Sequence, residues 1–210
     1  MLREAGAEKT DWIHIDSPAM ANTDSVVARI AAAGGIFFTG GIQERLMNRL
    51  DSTRSAAEIL DLYFKKGGVI GGTSAGAAVM SRVMITGNEL INRDTTNIFT
   101  TIRKNNVETK KGFGFLDKVI IDQHFAARKR HNRLISLVLE HPELPGIGID
   151  EDTAILVYPD GKARVYGAGP VLIYDARQAS DIRTDEQGML AAHNIRIDIL
   201  LAGDEFRIEM

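Results

Sequence analysis

Two rhythms of apolar and polar positions run along the chain, and each predicts a kind of element. Short apolar runs predict strands at 12–16 (WIHID), at 35–39 (GIFFT, ending in Gly40-Gly41), at Val69-Ile70 and at 119–122 (VIID). Between them lies helical spacing. Asp24 is placed to cap a helix whose face carries Val26, Val27, Ile30 and Ala31. Further helices are predicted from Gln43, over 55–66, over 75–84 and over 130–140, with Gly71-Gly72 opening a turn. From Ile147 onward the rhythm changes to short β-like runs (AILVY, ARVYG, VLIYD, IRIDILL), broken by turn residues such as Pro159-Asp160-Gly161. Strand–helix alternation followed by a β-rich end predicts an α/β layered fold: a mostly parallel sheet flanked by helices, with an antiparallel C-terminal portion. The 210 residues are expected to form one domain.

Composition narrows the function classes. The chain is 44% hydrophobic and 25% charged, with a net charge of −3 and basic residues spread along it, which gives no electrostatic footprint for nucleic acid or anionic membrane. It has no cysteine, so disulfides, thiolate metal sites and cysteine nucleophiles are excluded. No apolar run approaches a membrane span, and residues 1–10 contain no apolar core of a signal peptide. A soluble, cytoplasmic protein is expected.

The strongest chemical signal is Gly72-Thr73-Ser74-Ala75-Gly76, a G-x-S-x-G match entered from an apolar strand and left by a run of small residues. That context suits a nucleophile on a tight corner, with helix-start amides near the hydroxyl. It suits equally a glycine-rich turn in which Ser74 caps a helix. A nucleophilic serine needs a base, and five histidines are available: His14, His124, His131, His141 and His193. His124 alone follows a convincing apolar strand directly, at the edge where parallel sheets collect catalytic groups. Taken singly, each of the five is more often structural than catalytic. Asp150-Glu151-Asp152 offers three adjacent carboxylates, read either as a solvated turn or as the source of an orienting acid. Arg128, Lys129, Arg130 and Arg133 follow His124 and suggest a pocket for an anionic group, though a basic run is also an ordinary wet face.

Four ordered blocks now stand together: FFTGGIQERL (37–46), GGTSAGAAVMS (71–81), DQHFAARKRHNRL (122–134) and GIGIDEDTA (146–154). In sequence and order they resemble the cyanophycinase branch of the serine peptidase family that also contains aspartyl dipeptidase. The resemblance implies a class I glutamine amidotransferase-like fold and a Ser–His–Glu triad of Ser74, His124 and Glu151. It implies oxyanion donors at the backbone of Ala75 and of Gly40 or Gly41, and a pocket lined by Gln43, Asp122, Gln123, Arg128, Arg130 and Arg133. The implied reaction is hydrolysis of β-aspartyl-arginine units of cyanophycin, a polyaspartate with arginine on each β-carboxyl. It implies a homodimer and calls for neither metal nor cofactor. Relatives begin with a further strand region that would already be ending at Met1, so the sheet is expected to lack the family's first strand. Three rivals remain: an aspartyl or isoaspartyl dipeptidase, an esterase using His193 in the order Ser–acid–His, and a non-catalytic ligand-binding homologue.

Overall fold

The computed structural model describes residues 2–91 and 99–209. Two compact units are distinguished, Met1–Ile36 with Asn48–Ile70, and Phe37–Met47 with Gly71–Met210.

In the first unit α1 (Pro18–Ala21), α2 (Asp24–Ala31) and α4 (Arg54–Phe64) pack together, while β1 (Gly35–Phe38), α3 (Gln43–Leu50) and β2 (Val69–Gly72) cross the division. The 3.6-residue spacing buries Val26, Val27 and Ile30 of α2 and Ala56, Ile59 and Leu62 of α4. Ser55 Oγ donates to the Ala21 carbonyl at 2.5 Å, which satisfies a buried hydroxyl between α1 and α4. The cap of α2 falls on Thr23 rather than Asp24, and Asp24 in the first turn pairs with Arg54 at 2.6 Å. There it faces the positive end of the helix dipole and an arginine together.

The strand expected at 12–16 is irregular chain, with Trp12 79% exposed. Its carbonyls are taken by guanidinium groups instead of a neighbouring strand: Arg29 donates to Trp12 O and Arg49 to Ile15 O, each at 3.0 Å.

The second unit holds α5 (Ala75–Ala78), β3 (Val83–Glu89), β4 (Val107–Lys111), β5 (Ile120–Gln123), α6 (His131–Glu140), β6 (Gly146–Ile149), β7 (Thr153–Val157), β8 (Lys162–Gly167), β9 (Val171–Asp175), β10 (Ser180–Thr184), β11 (Leu190–His193), β12 (Arg196–Leu200) and β13 (Glu205–Arg207). A four-stranded sheet runs β12-β9-β6-β5, and a three-stranded one runs β13-β8-β7. Period-2 alternation sorts their side chains into two layers. Ile120, Leu172 and Tyr174 face α6 and pack with Leu134, Leu137 and Val138, while Ile121, Ile147, Val171 and Ile173 face Ala163 and Val165 of the smaller sheet. Each of the α6 leucines contributes about 1.5–3 kcal/mol by this burial.

The chain is mixed α/β, and most of the antiparallel pairing in this unit falls in the C-terminal portion, where it is expected, with β3–β4 adding an antiparallel pair ahead of it. Only β5–β6 is parallel among its registered strand pairs, whereas β6–β9, β9–β12, β7–β8, β8–β13, β3–β4 and β10–β11 are antiparallel. Connection length explains it. A parallel pair needs a crossover, which α6 supplies between β5 and β6, while β7 and β8 are joined by the tight Pro159-Asp160-Gly161 turn.

The helix expected over 75–84 stops at Ala78. The carbonyls of Val79, Met80 and Arg82 accept from the amides of Phe113, Leu116 and Gly112, and these long-range bonds replace the helical ones. Gly71 and Gly72 extend β2 instead of opening the turn. Among the described residues no helix is long and apolar enough to cross a membrane.

Candidate active site

The site is built at strand ends within the second unit. Parallel pairing sets Gln123 of β5 opposite Ile149 of β6, so His124 and the acidic turn after Ile149 leave the sheet at the same edge. Backbone strain marks this edge: His124 (φ 49°) and Asp152 (φ 50°) both lie in the left-handed region.

Ser74 is more strained still. Leaving β2, it takes φ 54° and ψ −114° before α5 begins, a conformation costing about 1–3 kcal/mol that turns the side chain out of the corner. Glycines on both sides make the corner possible by their lack of a side chain. A Cβ on Gly72 would lie 2.3 Å from the Gly76 carbonyl oxygen, and one on Gly76 would lie 2.2 Å from that of Phe38. Ser74 therefore stands at the helix start without making a side-chain cap bond, which removes the reading of the serine as a cap.

Its hydroxyl instead lies 2.9 Å from His124 Nε2, and His124 Nδ1 lies 2.9 Å from Glu151 Oε1. A neutral imidazole that donates its Nδ1–H to Glu151 leaves Nε2 free to accept the serine proton. The acidic turn is held at three successive residues. Asp150 accepts the Ala127 amide at 3.0 Å, Glu151 accepts from His124, and the Asp152 main-chain carbonyl accepts the Ala168 amide at 2.9 Å. Thr153 braces the turn, donating to Glu151 O at 2.9 Å and accepting from the Gly169 amide at 2.8 Å.

Gly40 abuts Ser74: a Cβ there would sit 3.4 Å from Ser74 Cβ and 3.9 Å from Oγ. Gly41 beside it has φ +140° and nothing within 4 Å of a notional side chain. The Ala75 amide is the first of α5, one of those a helix leaves without an internal acceptor.

The remaining residues read from the sequence divide by depth. Asp122 (1% exposed) and Arg133 (2%) are bound to each other, Arg133 Nε donating to Asp122 Oδ2 at 2.7 Å and Nη2 to Oδ1. Gln43 is also buried, its amide donating to the carbonyls of Ile85 at 2.8 Å and Thr86 at 2.6 Å. Arg130 donates through Nη1 to Gln123 O at 2.6 Å and to Gln123 Oε1 at 2.9 Å, and its Nε is buried with no acceptor among the described residues. Burial, then the neighbouring Arg133 charge, push the Arg130 guanidinium down to about 10. Arg128 is half exposed, with Nε 3.8 Å from Glu151 Oε1.

The other histidines stand elsewhere. His14 pairs with Asp16, His141 faces Glu143 at 3.9 Å, and His193 faces Asp181 at 3.7 Å. His131 meets the Tyr174 hydroxyl at 2.7 Å. Sequence reasoning missed Phe125, which is fully buried beside His131 and Tyr174, with its ring over Gly148 where a Cβ would come within 2.3 Å. It locks the residue after His124 onto β6. The glycine alternating with isoleucine in Gly146-Ile147-Gly148-Ile149 was the signal for so close an approach. Among the described residues no group of three or more His, Asp or Glu side chains is arranged to hold a metal ion.

Comparison with known proteins places the chain in a family. Residues 1–165 match the model of peptidase family S51. The chain is 36% identical over 214 residues to a cyanophycinase of Synechococcus elongatus, covering 99% of this chain and 63% of that protein. It is 38% identical over 215 residues to a cyanophycinase of Nostoc sp. strain PCC 7120, covering 99% of this chain and 68% of the relative. The chain thus spans somewhat under two thirds of the Synechococcus protein's length. A peptidase from an acI-B1 Actinobacterium shares the fold, with a TM-score of 0.62 at 22% identity, over 91% of this chain and 66% of that one. With the family model matching most of its length, the chain belongs to peptidase family S51.

Proposed function

We propose that this chain is a serine peptidase in which Ser74 is the nucleophile, His124 the general base and Glu151 the acid that orients it. The observation that carries the reading is the unbroken line from Ser74 Oγ through both ring nitrogens of His124 to Glu151 Oε1, at 2.9 Å per link. In this scheme Ser74 attacks the scissile carbonyl while His124 takes its proton. The Ala75 amide, with Gly40 or Gly41, holds the oxyanion, each donor contributing about 3–4 kcal/mol. His124 then protonates the leaving amine, the acyl-serine forms, and water releases it with His124 again as base. The scheme calls on no metal or organic cofactor.

The substrate we propose is cyanophycin, cleaved at β-aspartyl-arginine units. Two relatives carrying the name cyanophycinase support this choice. Arg128, with its exposed guanidinium beside Glu151, is the residue to hold a substrate carboxylate, with Gln43, Asp122, Gln123, Arg130 and Arg133 forming the floor beneath. The same reading carries a glutamine amidotransferase-like layering, one domain over 1–210, a cytoplasmic setting and a homodimer.

The test is incubation with cyanophycin and with β-Asp-Arg dipeptide beside a Ser74→Ala control, with products followed by mass spectrometry. Dipeptide release from the polymer, absent in the control, supports the reading. Cleavage of the dipeptide alone moves the assignment to a dipeptidase. Binding without turnover by folded protein sinks the catalytic reading.

A further inference from the structure

The three-stranded sheet β13-β8-β7 turns one face to the core and the other to solvent. Ile155, Val157, Ala163, Val165 and Phe206 point inward, so the residues alternating with them share the outer face. The register sorts that face into rows across the strands. Tyr166 stands in the row nearest the Glu151 turn, where Gly167 pairs with Thr153 and the Ala168 amide donates to Asp152 O at 2.9 Å. Leu156, Arg164 and Glu205 form the next row. Tyr158, whose amide donates to Lys162 O at 2.8 Å, carries the pairing past the end of β7 into a third row with Lys162 and Arg207. Scattered exposed apolar side chains are ordinary, but here Leu156 (43% exposed), Tyr158 (39%) and Tyr166 (43%) share adjoining rows. The hydroxyls of Tyr158 and Tyr166 hydrogen-bond each other, and Arg164 lies 5.6 Å from the Tyr166 ring centroid. Lys162 has Glu205 at 2.9 Å and Arg207 has Asp160 at 3.7 Å, whereas Arg164 has no carboxylate at ion-pair distance among the described residues.

We propose that this face is a track for the polymer, holding units of cyanophycin that have not yet reached Ser74. The inference rests on the cyanophycin reading for its ligand. Charge and spacing select that occupant. Each unit of the polymer carries a guanidinium and, on the same arginine, a free α-carboxylate. The carboxylate suits Arg164, which can hold it through two parallel hydrogen bonds. The guanidinium suits the tyrosine rings and the Glu205 carboxylate. A polymer of one sign would use only half of these groups. Spacing agrees with charge. A strand rises about 3.4 Å per residue, so residues on one face of β8 recur about every 7 Å. An extended polyaspartate has the same rise, and the arms on one side of it recur at the same interval. A chain laid along β8 therefore presents one arm to each row. From Tyr166 to Lys162 the track runs for about 14 Å, and its Tyr166 end adjoins the turn that carries Glu151.

Kinetics on long cyanophycin and on a three-unit substrate, which spans only about 10 Å when extended, test the track. Binding of a fluorescein-labelled twelve-unit oligomer to the Ser74→Ala protein is measured beside them. Arg164→Glu and Tyr166→Ala are each expected to raise KM for the long polymer by about ten-fold. Its kcat, and both constants for the three-unit substrate, should stay unchanged. Each change should weaken oligomer binding to the Ser74→Ala protein to the same extent, and added salt should erase the effect of Arg164→Glu. An unchanged KM for the long polymer overturns the proposal. So does an equal loss on both substrates, which would put these residues at Ser74 or in the folding of the chain. Oligomer binding that neither variant weakens overturns it too, and self-association lost in the same variants would then assign the face to a second copy. Oligomer that the unmodified chain binds without cleaving, and that Arg164→Glu releases, sinks the peptidase reading and leaves the track standing.

Discussion

Asp122 and Glu151 are carboxylates carried by the two parallel strands of one sheet, and they have opposite fates. Asp122 is the third residue of β5 and is 1% exposed, with both oxygens bound by Arg133. Glu151 stands two residues beyond β6, is 51% exposed at its side chain, and aligns an imidazole. A shift of a few residues along a strand moves a carboxylate from the packed interior to the strand's carboxyl end, where a substrate can reach it. Charge there is open to a ligand, whereas charge within the sheet serves the fold.

The sharpest way to break the comparison is to remove chemistry without touching the fold. Ser74→Ala is expected to lower turnover by roughly 10⁶-fold, with thermal unfolding unchanged. Glu151→Gln should cost roughly 10⁴-fold through loss of the imidazole's orientation, again with an unaltered melting curve. Loss of cooperative unfolding in either variant would place the triad among the structural elements.

The buried pair should behave the opposite way. Arg133→Met strands the Asp122 carboxylate and is expected to destabilise by about 3–5 kcal/mol in chemical denaturation. The double variant Asp122→Leu/Arg133→Met should recover most of that, because a pair removed together leaves no uncompensated charge. A double variant as unstable as the single one would show that packing around the pair, and not the charge, decides its contribution.

The smallest expected effect concerns acid. Hydrogen bonds from Arg177 hold the Asp175 carboxyl below its ordinary value of 3.8. A depressed folded-state value means the unfolded chain binds the proton more readily, so the pair adds stability above pH 3.8 and loses it as pH falls through the folded value. Arg177→Ala should therefore raise the midpoint of acid unfolding. An unmoved midpoint would mean that Arg177 does not hold the carboxyl down.

Legibility in the sequence followed what each pattern depends on. The face of α2 was readable because helical spacing is local, and the corner at Ser74 because two glycines flank it. Residues 12–16 misled, since alternation proposes a strand but only a partner makes one, and Arg29 and Arg49 took its carbonyls. Helix spacing past Ala78 failed likewise against the long-range bonds from 112–116. At the site, the order of four blocks named Ser74, His124 and Glu151. The mutual binding of Asp122 and Arg133 was hidden, because it depends on a helix–strand crossing that no spacing in the chain records.

The central claim is that His124 activates Ser74, and labelling with a serine-directed fluorophosphonate tests it most directly. Peptide mass spectrometry of the treated chain should locate one adduct on Ser74, lost when His124→Ala is treated in parallel. A folded chain that takes no label, or a Ser74 adduct that forms equally well without His124, would contradict the account.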